Sequence, residues 1–111
     1  MPDRDHSVFL RDIVEAIGKI DRYTSGMTYE EFIQNEMAVD AVIRNLEIIG
    51  EAASHVPEAI RKKHNGVPWD KMKAMRNIMI HEYFGVDLET VWKTARQSLP
   101  ALRNSIAEIA G

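Results

Sequence analysis

A cation, an amide, an imidazole and a phenol interrupt an apolar stretch in the second half of the chain. They are Arg76, Asn77, His81 and Tyr83, within the segment MRNIMIHEY of residues 75–83. An imidazole can exchange protons near neutral pH, and a permanently charged guanidinium binds anions through its forked N–H donors. Because burying such groups without partners is costly, they either find partners inside the protein or open onto a cleft or an interface.

Helix geometry separates these residues around the axis. At about 100° per residue, Tyr83 lies nearly above Arg76, whereas His81 lies about 140° away. The sector between them is centred near Asn77, includes Lys73, and forms the polar side of the helix. One helix therefore does not aim Arg76 and His81 at a single ligand. We expect a homodimer in which two copies of this helix meet across a two-fold axis and both chains line one cleft.

The rest of the chain must supply the elements that hold this helix. Helical periodicity dominates and strand-like alternation is absent. We predict an all-α fold, an antiparallel four-helix bundle with one additional short helix after the first, formed by residues 1–111 as a single domain. The expected main helices cover about residues 7–23, 35–55 and 69–84 and a stretch after residue 87, with short helical turns at 29–33 and from 57 to about 63.

Several residues mark where these helices begin, end or pack. Thr28 and Glu31 form the Thr-x-x-Glu pattern of a capping box, and Asp87 is placed to cap the last helix. Pro100 should kink or divide that helix. Gly50, inside the third predicted element, costs about 1 kcal/mol against alanine. We therefore expect a neighbouring helix to pack closely there.

Composition excludes several classes of function. The 111 residues contain no cysteine, so disulfides, cysteine-ligated metals and a cysteine nucleophile are excluded. No apolar run approaches the roughly 18 residues that span a bilayer, and the first residues are polar, so we expect a cytoplasmic protein without membrane contact.

No dedicated metal or cofactor site is expected. The four histidines lack the i,i+4 spacing of a metal site, and nucleotide-binding glycine motifs are absent. We expect His55 to interact with the dipole of a helix end. Glu47 and Glu51, four residues apart, could bind a cation, but a solvated or arginine-paired helix face is the favoured interpretation.

Charge is segregated along the chain. The formal net charge is −3, yet residues 61–76 carry six basic residues and one acid, whereas residues 28–58 carry seven acids and only Arg44. The acidic part should repel nucleic acid, so any RNA contact must be local. The basic part could be a solvated loop and helix start, or it could meet a phosphate-rich ligand. Its basic residues are Arg61, Lys62, Lys63, Lys71, Lys73 and Arg76.

The sequence also resembles a known family. Arg76-x4-His81-x-Tyr83 is similar to the Arg-x4-His-x-Tyr signature of HEPN ribonucleases, specifically the HepT-like toxins that are paired with a minimal nucleotidyltransferase (MNT) antitoxin. The resemblance extends over essentially the whole chain, in the family's order. It includes DAVIRNLEIIGEA at 40–52, VPW at 67–69, MRN at 75–77 and VDLETVW at 86–92.

The resemblance implies a metal-independent endoribonuclease toxin of a toxin–antitoxin pair. His81 would take the proton from a ribose 2′-hydroxyl or deliver one to the leaving 5′-oxygen, and Arg76 would hold the phosphate. Asn77 would orient the imidazole or donate to phosphate, with Lys73 on the same polar side. Tyr83 would stack or hydrogen-bond, and the antitoxin would transfer AMP to its hydroxyl.

Two other functions stay open. The chain could be a catalytically idle HEPN subunit that binds a nucleotide or substrate for a nucleotidyltransferase, or a simple helical dimerisation module. The presence of both Arg76 and His81 favours the enzyme. No base-reading element is recognisable, so the RNA target is not predicted.

Overall fold

The computed structural model describes residues 7–81 and 87–110, with side chains for all of these except 77–81. Every regular element in this part of the chain is helical, which confirms the predicted all-α fold. The helices are α1 (Ser7–Thr24), α2 (Tyr29–Gln34), α3 (Glu36–Ser54), α4 (Glu58–Lys63), α5 (Trp69–His81), α6 (Leu88–Lys93) and α7 (Leu99–Ala110), and a π-helical segment, Thr94–Ser98, joins α6 to α7.

The four long members of the bundle are α1, α3, α5 and the joined α6 and α7. Helix α3 packs against both α1 and α5, and α1 also packs against α7. The packing is antiparallel, since Phe9 near the start of α1 stacks on His55 just after α3. Near the end of α1, Asp21 binds Arg96, which precedes α7. The short helices α2 and α4 correspond to the two predicted helical turns.

The helix ends follow the capping signals in the sequence. Thr28 Oγ1 accepts from the Glu31 amide at 3.1 Å, and Glu31 Oε1 accepts from the Thr28 amide at 2.9 Å, so the capping box is confirmed. Asp87 Oδ1 accepts from the Glu89 amide at 3.0 Å, which confirms the predicted cap of α6. After α1, Gly26 takes a φ of +80°, a conformation that glycine adopts without steric cost.

The last helix is divided just before Pro100, as predicted. Proline has no N–H to donate, and Pro100 is the second residue of α7. One residue earlier, the Leu99 amide donates to the Thr94 carbonyl, five positions back, as in a π-turn. From this turn Arg96 Nη1 reaches Asp21 Oδ1 and the buried Thr24 hydroxyl of α1, each at 3.0 Å. The turn therefore ties the last part of the chain to α1.

The core forms where α1, α3, α5 and α7 meet, and it fixes the start of α5. Met72 is fully buried there, and Trp69 is 6% exposed. The Trp69 indole N–H donates to the His64 carbonyl at 3.1 Å, so α4 ends beside the beginning of α5. None of the described helices is both long and apolar enough to cross a bilayer. The largest fully buried side chains are Phe32, Leu10, Ile13, Ile17, Ile20, Ile49, Met72, Leu99, Ile106, Val42 and Thr24.

Candidate active site

Arg76 lies in an open groove formed by α1, α3 and α5. Its side chain is 38% exposed, so the guanidinium is accessible to a ligand. The groove has a volume of about 360 Å³. Its lining residues are Phe9, Asp12, Arg44, Glu47, Ile48, Glu51, Ala52, His55 and Arg76.

Gly50 of α3 sets how closely α5 approaches at Arg76. A Cβ atom on Gly50 would lie 2.6 Å from the Arg76 backbone nitrogen, 2.8 Å from the Arg76 Cβ and 3.0 Å from the Met72 carbonyl oxygen. The two contacts with Arg76 are shorter than a Cβ atom tolerates, and the contact with the Met72 oxygen is tight. Two of the three atoms belong to the backbone, which cannot rotate away. The close packing expected at Gly50 is confirmed, and its neighbour is the helix that carries Arg76.

The next residue on α3 binds the Arg76 side chain. Arg76 Nη1 donates to Glu51 Oε1 at 2.7 Å, and the other carboxylate oxygen of Glu51 lies 3.1 Å from His55 Nε2. The hydrogen bond from Arg76, and secondly that from His55, lower the pKa of Glu51 below its ordinary value. Glu51 is therefore ionised near neutral pH and bridges the guanidinium and the imidazole.

His55 takes part in the groove as well as in the helix end. It is the C-terminal cap residue of α3, consistent with the helix-end position assigned to it from sequence. Its ring also stacks on Phe9 of α1, with centroids 5.2 Å apart and ring planes 20° from parallel. The spacing of four residues between Glu51 and His55 on one helix predicts that these two side chains meet. No local sequence pattern predicts that either residue lies near Arg76.

Glu47 and Glu51 of α3 are each paired with an arginine. Glu51 binds Arg76, and Glu47 binds Arg44 one turn earlier on the same helix, so the interpretation of an arginine-paired face is confirmed. Among the described residues, no group of three or more histidine or carboxylate side chains could hold a metal ion.

The groove itself is not basic. Among the described residues, the carboxylates of Asp12, Glu47 and Glu51 line it together with two guanidiniums. Since a phosphodiester is anionic, the described groove of one chain lacks the excess of positive charge that RNA requires. That excess lies along the chain at the end of α4 and the start of α5, where Lys62, Lys63 and Lys71 are exposed.

Only some of the predicted site residues have side chains in the described part of the structure. Lys73 is half-buried on α5, one turn before Arg76, and does not line the groove. Asn77 and His81 belong to α5, but their side chains lie outside the described part, and Tyr83 lies outside the described residues altogether. The convergence of Arg76 and His81 on one ligand therefore stays a prediction.

Comparison with known proteins identifies the class. The all-helical bundle, with the Arg-x4-His-x-Tyr sequence beginning on α5, is that of a HEPN protein. A family model described as "Ribonuclease HepT-like" matches residues 13–109. The chain belongs to this HepT-like ribonuclease family. No solved structure gives a significant match.

Similar proteins agree with this assignment. The chain is 44% identical over 109 residues to "Putative RNase MJ1216" of Methanocaldococcus jannaschii, covering 98% of this chain and 90% of the relative. It is 44% identical over 109 residues to "Putative RNase MJ0125" of the same organism, covering 98% and 94%. It is 40% identical over 106 residues to "Probable ribonuclease HepT" of Thermococcus cleftensis, covering 96% of each chain.

Proposed function

We propose that this protein is a metal-independent endoribonuclease in which Arg76 and His81 form the catalytic pair. Membership of a ribonuclease family supports the reaction class. The observation that carries the proposal is the placement of Arg76, whose accessible guanidinium lies in an open groove while its backbone is packed against Gly50. A rigid helix that presents a permanent cation to a groove can stabilise charge that develops on a phosphate.

The proposed reaction is an internal phosphoryl transfer. The ribose 2′-oxygen attacks the adjacent phosphorus, the bond from phosphorus to the 5′-oxygen breaks, and a cyclic phosphate and a 5′-hydroxyl result. His81 accepts the 2′-hydroxyl proton or delivers a proton to the leaving 5′-oxygen, and water makes the other of these two proton transfers. Arg76 binds the non-bridging oxygens, where negative charge accumulates. Asn77 supports phosphate binding from the polar side of α5, and Lys73, which lies one turn before Arg76 and outside the groove, adds positive charge to the same side of the helix.

We also propose that two chains assemble one site. The positions of Arg76 and His81 are about 140° apart around α5, and the described residues that line the groove of one chain include more carboxylates than guanidiniums. A second copy across a two-fold axis would bring His81 and further basic residues to the Arg76 groove. In this arrangement, His81 of the second chain would approach the groove from a direction that the helix carrying Arg76 does not provide. The second chain would also add positive charge to the groove.

Control by a partner forms the remaining part of the proposal. The resemblance to HepT-like toxins implies that an MNT-type nucleotidyltransferase transfers AMP to the signature tyrosine, which is Tyr83 in this chain. The added phosphate would place negative charge where an RNA phosphate must bind, so cleavage would stop. Intact-mass spectrometry after co-expression with the adjacent reading frame tests this. Mass gains in steps of one AMP that are lost in Tyr83→Phe are expected, and an unmodified wild-type chain would contradict the proposal.

A cleavage assay tests the nuclease directly. Purified protein should cleave RNA in the presence of EDTA, and His81→Ala should lose the activity while keeping its helical circular dichroism. Undiminished cleavage by His81→Ala would contradict the catalytic pair. Absence of cleavage by the wild-type chain, with retained RNA or nucleotide binding, would instead support a non-catalytic HEPN subunit.

A further inference from the structure

We propose that Glu51 is a positioning residue that holds the Arg76 guanidinium in its catalytic orientation before RNA arrives. The inference rests on the proposed function, because it assigns Glu51 a part in the same reaction. Glu51 acts through Arg76 and does not itself touch the substrate. The inference is based on the contacts of two consecutive α3 residues, Gly50 and Glu51, with Arg76 of α5.

Two independent contacts from α3 fix Arg76. Gly50 allows the Arg76 backbone to approach so closely that a Cβ atom would lie 2.6 Å from its nitrogen. Glu51 then accepts a hydrogen bond from Arg76 Nη1 at 2.7 Å. The first contact sets where the helix lies, and the second sets where the side chain points.

The carboxylate of Glu51 is itself held in place. Its Oε2 lies 3.1 Å from His55 Nε2, and the His55 ring stacks on Phe9. With one oxygen directed to His55 and the other to Arg76, the carboxylate has a defined orientation. Residues of α1 and α3 thus determine the direction of a side chain on α5.

The exposure of the pair indicates that its role is orientation rather than stability. The Glu51 and Arg76 side chains are 51% and 38% exposed, and ion pairs this exposed contribute little to folding. A guanidinium has five N–H donors, so the bond to Glu51 is compatible with further bonds to phosphate oxygens. Restricting the side chain in advance removes conformational freedom that would otherwise be lost in the transition state.

The same groove provides a matched control. Glu47 lines it one turn before Glu51 on α3, and it pairs with Arg44 of its own helix rather than with Arg76. Glu47→Gln and Glu51→Gln each remove one negative charge from the groove. Only Glu51→Gln weakens the hold on Arg76.

Steady-state cleavage of RNA by the full chain provides the first test. We expect Glu51→Gln to lower kcat by about tenfold to a hundredfold, at least fivefold more than Glu47→Gln, with little change in KM. Both variants should melt close to the wild-type temperature. Equal kcat values for the two variants, or a rise in kcat for Glu51→Gln, would overturn the proposal.

The NMR signal of the Arg76 side chain provides a second test that needs no substrate. Its ¹⁵N Nε–Hε signal, assigned by its loss in Arg76→Lys, should show greater fast motion in Glu51→Gln than in Glu47→Gln or the wild type. Unchanged motion would overturn the inference even if RNA is cleaved. If the NMR change occurs but wild-type protein cleaves no RNA, the proposed function fails, and Glu51 then orients Arg76 without taking part in RNA cleavage.

Discussion

At the scale of single residues, the carboxylate of Glu51 links the imidazole of His55 to the guanidinium of Arg76. Because Arg76 and His55 lower its pKa in the folded state, the small contribution of Glu51 to stability is fully present only above the ordinary glutamate pKa of about 4.3. That contribution is lost as the pH falls through the lowered folded-state pKa.

The pH dependence of melting tests this link. Wild type should melt at a slightly higher temperature than Glu51→Gln at pH 7, and the difference should shrink as the pH falls below about 4.3. Melting curves recorded by circular dichroism at several pH values would measure it. A difference that stays constant over the whole acid range in which both proteins remain folded would show that the ion pair does not contribute as described.

At the scale of elements, the contact between α3 and α5 at Gly50 determines where Arg76 lies. Gly50→Ala should destabilise the protein by about 1–3 kcal/mol, because the added methyl meets the Arg76 backbone. It should also lower RNA cleavage, since α5 must move away from α3. Gly66→Ala is the matched control, because a Cβ atom there meets nothing within 4 Å. Chemical denaturation would compare the two, and equal stabilities would contradict the close packing.

The helices could be predicted from sequence because their signals are local. The capping box at Thr28, the cap at Asp87 and the division before Pro100 each depend on residues only a few positions apart. The partner of Arg76 could not be predicted, since Glu51 is 25 residues away and meets it only through the packing of α3 on α5. Gly50 indicated that some helix would pack closely there, but not which one.

At the scale of the whole molecule, the charge segregation predicts how RNA approaches. The described lining of the groove around Arg76 has more carboxylates than guanidiniums, so the exposed lysines at the end of α4 should bind flanking phosphates. The double variant Lys62→Glu, Lys63→Glu should bind RNA more weakly. The logarithm of its RNA-binding constant should also fall less steeply with the logarithm of the salt concentration. The slope should be shallower by about 0.7 for each phosphate that the variant no longer neutralises.

Binding measured at several salt concentrations would test this approach path. Lys19→Glu is the control, since it reverses one positive charge on a different helix, α1, beside Glu15. Equal affinities and salt slopes for the α4 double variant and the wild type would mean that RNA does not follow the basic segment.

Complementation between inactive chains tests most directly whether Arg76 and His81 from two subunits meet at one phosphate. Arg76→Ala and His81→Ala should each be inactive alone. Mixed in equal amounts and allowed to exchange subunits in EDTA, they should recover about a quarter of wild-type RNA cleavage. Half of the dimers would then be mixed, and each mixed dimer would carry one intact site of two. A mixture that forms mixed dimers yet stays inactive would contradict a site shared between chains.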